Sequence, residues 1–331
     1  MRASAWCAIS TSIFFGCGQG RPPGNHSEGY TIVEIPSHKG TASVSARGIN
    51  SRGDIVGQVL FGPDAERAKS EAFLYDAETR APRRIGDTGT WRQYATAIND
   101  ARQVAVNDFD TGHAFLWDAD AMTDVGTVEG NGGRVFTELT AVNAHGWVVG
   151  SSVTAKGQHA VLWDGTRLRD LTPALQGLSF AYALNSVGQV VGSFSPAGTS
   201  EQRAVLFENG ELRDLGTLGG DSTAVGINDS GRIVGQSGNH GFVYDLPNGP
   251  MRDIAPGQFT GLSGVNAAGD AVGGMGARAI LWRDGKFIDL TDALGDPTWL
   301  LIEATAINDQ GQIVGLGTHG GNIRQFLLSP Q

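Results

Sequence analysis

Three observations place this 331-residue chain in the all-β class. A unit of about 43 residues recurs along it. The apolar runs inside each unit are about four to seven residues long, and no unit carries the ten to twelve residues of helical periodicity that a crossover helix needs. The 49 glycines, roughly twice the ordinary share, form no G-x-y triplets. Short runs rich in valine, isoleucine and aromatic residues, bounded by Asn, Asp and Gly, are strands joined by tight turns.

The first element of each unit is an asparagine after a small or branched apolar residue: Ile49-Asn50, Ile98-Asn99, Val142-Asn143, Leu184-Asn185, Ile227-Asn228, Val265-Asn266 and Ile307-Asn308. Asn50 and Asn308 are 258 residues apart in six steps, about 43 each. Three residues on stands a glycine (Gly53, Gly146, Gly188, Gly231, Gly269, Gly311), with Arg102 as the one departure. Asparagine folds its side chain onto the backbone two residues on, and glycine takes the positive φ that closes the hairpin. An apolar run ending in glycine follows, as in Ile55-Val56-Gly57. After a variable loop come runs such as Ala114-Phe115-Leu116-Trp117 and Ala160-Val161-Leu162-Trp163, and then Asp-Leu-like pairs such as Asp170-Leu171 and Asp214-Leu215. The unit is a four-stranded antiparallel meander, the size of a propeller blade.

The chain ends set the count. The last unit stops at Phe326-Leu327-Leu328, with no room for a fourth strand before Gln331. Residues 30–36 precede the first unit and carry Glu34-Ile35 where the others have Asp-Leu. The prediction is a seven-bladed β-propeller over 30–331, its ring closed by the N-terminal strand completing the C-terminal blade. The repeat units lie near 44–86, 93–126, 137–171, 180–216, 222–255, 262–291 and 303–329 plus 30–36. An open solenoid would have no use for an orphan strand at the front, and closure removes an exposed sheet edge.

His113-Ala114-Phe115-Leu116-Trp117, the run from Leu215 to Gly220 and the run from Ile227 to Gly235 resemble the bacterial HAF extracellular repeats over residues 30–329. The resemblance implies export and a repeat fold. It offers no catalytic residues to carry over.

The address agrees with that expectation. Residues 1–16 read as a signal peptide, with Arg2, a short apolar stretch and Gly16 before the cut. Phe14-Phe15-Gly16-Cys17 resembles a lipobox, which makes Cys17 the lipidation candidate, although Phe14 stands where leucine is usual. The alternative is an ordinary signal peptide in which Cys17 has no such role. Residues 17–29 suit a flexible tether. The only cysteines are Cys7 and Cys17, so neither a disulfide nor a thiolate zinc site is expected in the folded part. Beyond residue 20 no run is long and apolar enough to span a membrane, so membrane contact is expected only through an N-terminal lipid. A net charge of −10 with four lysines gives no basic stripe for nucleic acid.

Candidate sites follow from the residues that break the repeat. His113, His159, His240 and His319 read as strand-edge hydrogen bonders rather than a metal ring, since matching positions in separate blades stand too far apart to share an ion. Gly315-Leu316-Gly317-Thr318-His319-Gly320 has the dinucleotide spacing but leads into a strand, not a helix. There is no G-x-S-x-G elbow and no H-E-x-x-H. No catalytic residue, metal or cofactor is assigned. Trp91, Arg92, Arg134, Tyr182 and Trp299, in the variable connections into the first strands, are the candidate ligand anchors on one loop face. The expected function is a monomeric, non-catalytic envelope or secreted scaffold for a protein, peptide or glycan. The alternatives are a carbohydrate-active hydrolase or lyase using loop acids such as Asp108 and Asp110, and a purely structural surface protein.

Overall fold

A computed structural model describes residues 29–36, 43–61, 69–86, 88–128 and 136–331. The described strands form seven four-stranded antiparallel sheets, each a meander in chain order apart from the closing one. The inner strands of blades I to VII are Ser43–Ile49, Gln93–Ile98, Thr137–Val142, Gly177–Leu184, Ser222–Ile227, Thr260–Val265 and Trp299–Ile307. Each touches the inner strands of both neighbours, and those of blades VII and I touch each other, so the ring is complete. Tyr30–Glu34 is the outer strand of blade VII and pairs with Asn322–Pro330, Tyr30 facing Pro330 and Glu34 facing Phe326. The protein is a seven-bladed β-propeller closed by its first strand, as the orphan segment at 30–36 predicts.

The core is shared between blades. Val56, Ala72 and Leu74 of blade I pack against Ala95, Val104, Val106 and Trp117 of blade II, and similar clusters lie between other blade pairs. Second strands are therefore covered on both faces, and Val104–Asp108 is buried at every residue. A bulge interrupts each inner strand, between Leu139 and Ala141 in blade III and between Ala181 and Ala183 in blade IV. In every blade but II, which has Val106 there, this brings the inner backbone onto the glycine that ends the apolar run: a Cβ at Gly150 or Gly192 would lie 1.8 Å from the carbonyl oxygen of Glu138 or Phe180. The one helix among the described residues, Leu290–Leu294, bridges blades VI and VII. Asp289 caps it by accepting from the N–H groups of Thr291 and Asp292, and Leu290 is fully buried beneath it.

The seven asparagines form one circuit. Asn50 Nδ2 donates to Asn99 O, and the same bond runs from 99 to 143, 143 to 185, 185 to 228, 228 to 266, 266 to 308 and 308 back to 50, at 2.8–3.3 Å. Each Oδ1 accepts the N–H four residues on, as from Asp54, Gln103 and Gln189, and in some turns also the one two residues on. One side chain thus closes its own turn and ties it to the next blade.

Arg102, the single non-glycine in the turns, sits at φ 64°. In an L-residue that conformation costs about 1–2 kcal/mol. Its guanidinium bonds the buried Asp54 carboxylate of blade I at 2.7 and 2.9 Å and lies 3.0 Å from Asp76. Burial raises the Asp54 pKa, but bonds from Arg102, Ala77 N–H and Asn50 outweigh it and hold the group below its ordinary value.

Two outcomes follow. Asn185→Ala removes the bond to the buried Asn228 carbonyl, leaves the Gln189 turn N–H unpaired and should cost about 1–3 kcal/mol, read from the urea midpoint. Arg102→Ala should cost a similar amount. Because the folded pKa of Asp54 lies below the unfolded value near ~3.9, its contribution is present above about pH 4 and lost as pH falls through the folded value. Arg102→Ala should therefore shift the acid-unfolding midpoint to higher pH.

Candidate functional site

The repeated polar residues are spent on the blades. In the Asp-Leu pairs one carboxylate oxygen accepts the N–H two residues on, as Asp124 does from Gly126, Asp170 from Thr172, Asp214 from Gly216 and Asp289 from Thr291. The other oxygen meets the residue that opens the third strand: His113 at 2.7 Å from Asp124, His159 at 2.8 Å from Asp170, His240 at 2.9 Å from Asp253, Arg278 at 2.6 Å from Asp289 and Arg324 at 2.9 Å from Glu34. Blade I exchanges the charges, with Glu71 facing Arg84 at 3.3 Å. The histidines are struts of separate blades. His319 differs only in position: it ends the second strand of blade VII, where Arg324 holds the equivalent place, yet its Nδ1 lies 3.3 Å from the same Glu34 carboxylate.

Loops that join second to third strands, and outer to next inner strands, share one face; the asparagine turns lie on the other. Trp91, Leu178, Phe259, Leu300 and Ile323 are exposed on the first face, whereas Val187 is the large exposed hydrophobic of the asparagine-turn face among the described residues. Trp91 is 59% exposed, with Lys69 Nζ stacked over its ring at 2.9 Å. Arg92 bonds Asp110 at 2.6 Å and lies 4.2 Å above the Phe109 ring.

Neither loop acid proposed for hydrolysis is free. Asp108 is buried, one oxygen taking the Thr88 and Thr90 hydroxyls and the other the N–H groups of Asp110 and Thr111. At Asp110, burial raises the pKa, but the bonds from Arg92 and from Trp91 N–H outweigh it and keep the carboxyl below its usual range.

The other predicted anchors lie elsewhere. Trp299 is not a loop-face anchor: it is 5% exposed, opens the inner strand of blade VII, stacks on His319 at 4.6 Å and meets Phe326 edge-on. Strand pairing of Trp299 with His319 draws it inward. Tyr182 is half-buried at the bulge of blade IV, with its ring 6.3 Å from that of Phe180. Arg134 and Cys17 lie outside the described residues.

Tyr182 belongs to a tier that the sequence reading missed. The registers equate Ser45, Tyr94, Glu138, Phe180, Thr223, Gly261 and Glu303, each just before the buried inner-strand residue that faces the second strand's glycine or, in blade II, Val106. Arg47, Thr96, Thr140, Tyr182, Val225, Ser263 and Thr305 stand at the bulges. The inner strands have no further strand inside them, so this partly exposed tier lines the axial channel. Tyr94 donates its hydroxyl to Glu138 in the next blade at 2.8 Å, and Arg47 lies 5.1 Å above the Tyr94 ring. Burial, then Glu138, push the Tyr94 phenol far above its ordinary pKa. Burial alone pushes the Glu303 carboxyl up, and among the described residues no hydrogen bond or ion pair reaches it. The signal that could have found the tier is disagreement: in the row from Ser45 to Glu303 no two neighbouring units carry the same residue.

A ring of rigid blades carrying a non-repeating axial tier and loop face is a seven-bladed β-propeller, and comparisons bear on that shape alone. No family model matches the chain, and no curated protein does. Among solved structures, the β-propeller domain of the trilobed protease from Pyrococcus furiosus is 11% identical, covering 87% of this chain and 94% of that one with a TM-score of 0.54. That propeller has an open velcro topology, whereas here the first and last strands pair. YCF48 from Cyanidioschyzon merolae is 11% identical over 90% of this chain and 98% of its own, with a TM-score of 0.54, and a YCF48 structure with bound D1 peptide is 13% identical at the same TM-score. The extracellular domain of BT4673 from B. thetaiotaomicron reaches 0.55 at 11% identity, with 40% of that chain covered. At such identities the likeness shows the fold.

The folded pKa of Glu303 lies above its unfolded value, so its ionised form opposes folding once pH exceeds about 4.3. Glu303→Gln should raise the melting midpoint at pH 7, and the gain should vanish below about pH 4 in a thermal series across pH.

Proposed function

We propose that the protein is a non-catalytic, exported scaffold of the bacterial cell envelope that binds a protein, peptide or glycan at its loop face and channel mouth. The observation that carries this is the division of labour among residues. The side chains that recur serve turns, struts and blade contacts, while the side chains that differ between blades, and most of the exposed large hydrophobics, gather on the loop face and in the tier around the axis. The loop acids Asp108 and Asp110 are consumed by local bonds, which weighs against a hydrolase built on them.

Export by residues 1–16 and lipidation at Cys17, with the HAF-type resemblance, belong to the same proposal. No helix among the described residues is long and apolar enough to cross a membrane, so a lipid on Cys17 would be the attachment. The intact protein, presented to an array of glycans and envelope proteins beside Trp91→Ala and Phe259→Ala variants, should capture a ligand that both variants bind at least tenfold more weakly. A ligand held equally well by both variants would overturn the loop-face reading. Labelled fatty acid should be incorporated by the wild type and not by Cys17→Ser.

A further inference from the structure

The channel tier is lopsided. Tyr94, Glu138 and Phe180, in three consecutive blades, give one half of the ring its bulk. The other half is built from Thr223, Gly261, Glu303 and Ser45, in the four blades that complete the circle. Gly261 contributes no side chain, and a Cβ there would meet nothing nearer than Gln236 Oε1 at 3.5 Å, an ordinary contact distance. Its register partner Gly274 also lacks a side chain, so blade VI leaves this stretch of the wall open beside Glu303.

Charge is lopsided in the same sense. Glu138 accepts the Tyr94 hydroxyl, and Arg47 is committed to the Tyr94 ring, on the blade II side. Glu303 is flanked by the glycine of one blade and the serine of the other, and the described residues bring it no cation and no donor. A desolvated carboxylate gains most from a cation that fits beside it, because an uncompensated charge is the expensive state. The stacked rings of Phe180 and Tyr182 add aromatic faces to the channel, and such faces attract cations rather than anions. Arg47 stands in blade I, next to blade VII, but its guanidinium turns away from Glu303 onto the Tyr94 ring of blade II, where it disfavours a bulky or multiply charged cation by like-charge repulsion.

We propose that the open half of this tier is a binding site for a single protonated amine or guanidinium on a slender stem, ion-paired to Glu303 and admitted past Gly261. The inference rests on the binding-scaffold reading and specifies the chemistry of what enters the channel. The stem is accommodated because Gly261, Thr223 and Ser45 are small, and the head group is selected by the one carboxylate of the tier with no partner of its own.

The test is fluorescence anisotropy of the intact protein at low salt, with fluorescein-labelled Gly-Ser peptides carrying one central Arg, Lys or Gln. N-acetyl-lysine-N-methylamide serves as an unlabelled competitor. The Arg or Lys peptide should bind at least tenfold more tightly than the Gln peptide. Glu303→Gln should reduce it to the level of the Gln peptide, and Gly261→Leu should do the same by filling the gap while keeping the carboxylate. Glu211→Gln, an equal charge change on the outer strand of blade IV, should bind as the wild type does. A competitor that matches the peptide assigns the site to a free amine, and a weaker one assigns it to a polypeptide side chain; both support the cation site. Equal binding of the Gln peptide, or undiminished binding by Glu303→Gln, would overturn it. If that happened while an array ligand still depended on Trp91, the scaffold reading would stand and this inference alone would fall. If cation binding persisted with an array ligand indifferent to Trp91 and Phe259, the loop-face reading would fall instead.

Discussion

The circuit of asparagine amides is the constraint on which the rest of this molecule depends. Seven identical bonds run head to tail around the axis, and the seventh returns to the first residue of the set. A linear stack of the same units would forgo one of these seven inter-blade bonds at its ends, so the bonding pattern favours the closed ring over the solenoid. It also sets the angular step: each amide reaches the carbonyl of the next turn only if successive blades are rotated by the same amount. Buried amides that lose their partners cost more than exposed ones, which makes a uniform step cheaper than an irregular one.

With geometry held near the axis on one face, the opposite side of the ring is released from that duty. The strut pairs between third and outer strands keep the blade rims rigid, and they tolerate exchange of histidine for arginine, or of the charges themselves, as Glu71 and Arg84 show. What a blade presents at its bulge and at its loop can then change without disturbing the ring. Glu303 illustrates the other side of that freedom, since a half-buried carboxylate without a partner is retained at some cost to stability, a pattern common where a residue serves binding.

The fold was legible because its determinants are local and repeated. Asn-x-x-Gly announces a turn with a known mechanism, and the mismatch between the leading strand 30–36 and the truncated last unit announces closure. Arg102 was visible as a departure, but its compensation was not, because Asp54 is a blade away and only the ring brings them together. The site was less legible. Trp91 and Arg92 stand where a variable connection suggested, but Trp299 looked the same in sequence and is drawn inward by its pairing with His319. The channel tier was hidden from strand periodicity for a different reason: a bulge of one residue changes which side chains turn toward the axis, and strict alternation along the strand does not reveal it.

The closing strand has a directional consequence. Tyr30–Glu34 runs outward along the rim of blade VII from the side of the asparagine turns, and Gln331 N–H bonds Gly29 O at 2.9 Å, so the two ends of the folded chain meet at one point on that rim. Whatever is joined ahead of Gly29 therefore pulls from the side opposite Trp91 and Phe259. A leash there would hang the disc by its edge with its variable face turned toward whatever approaches, and would leave the mouth of the channel clear of its own support.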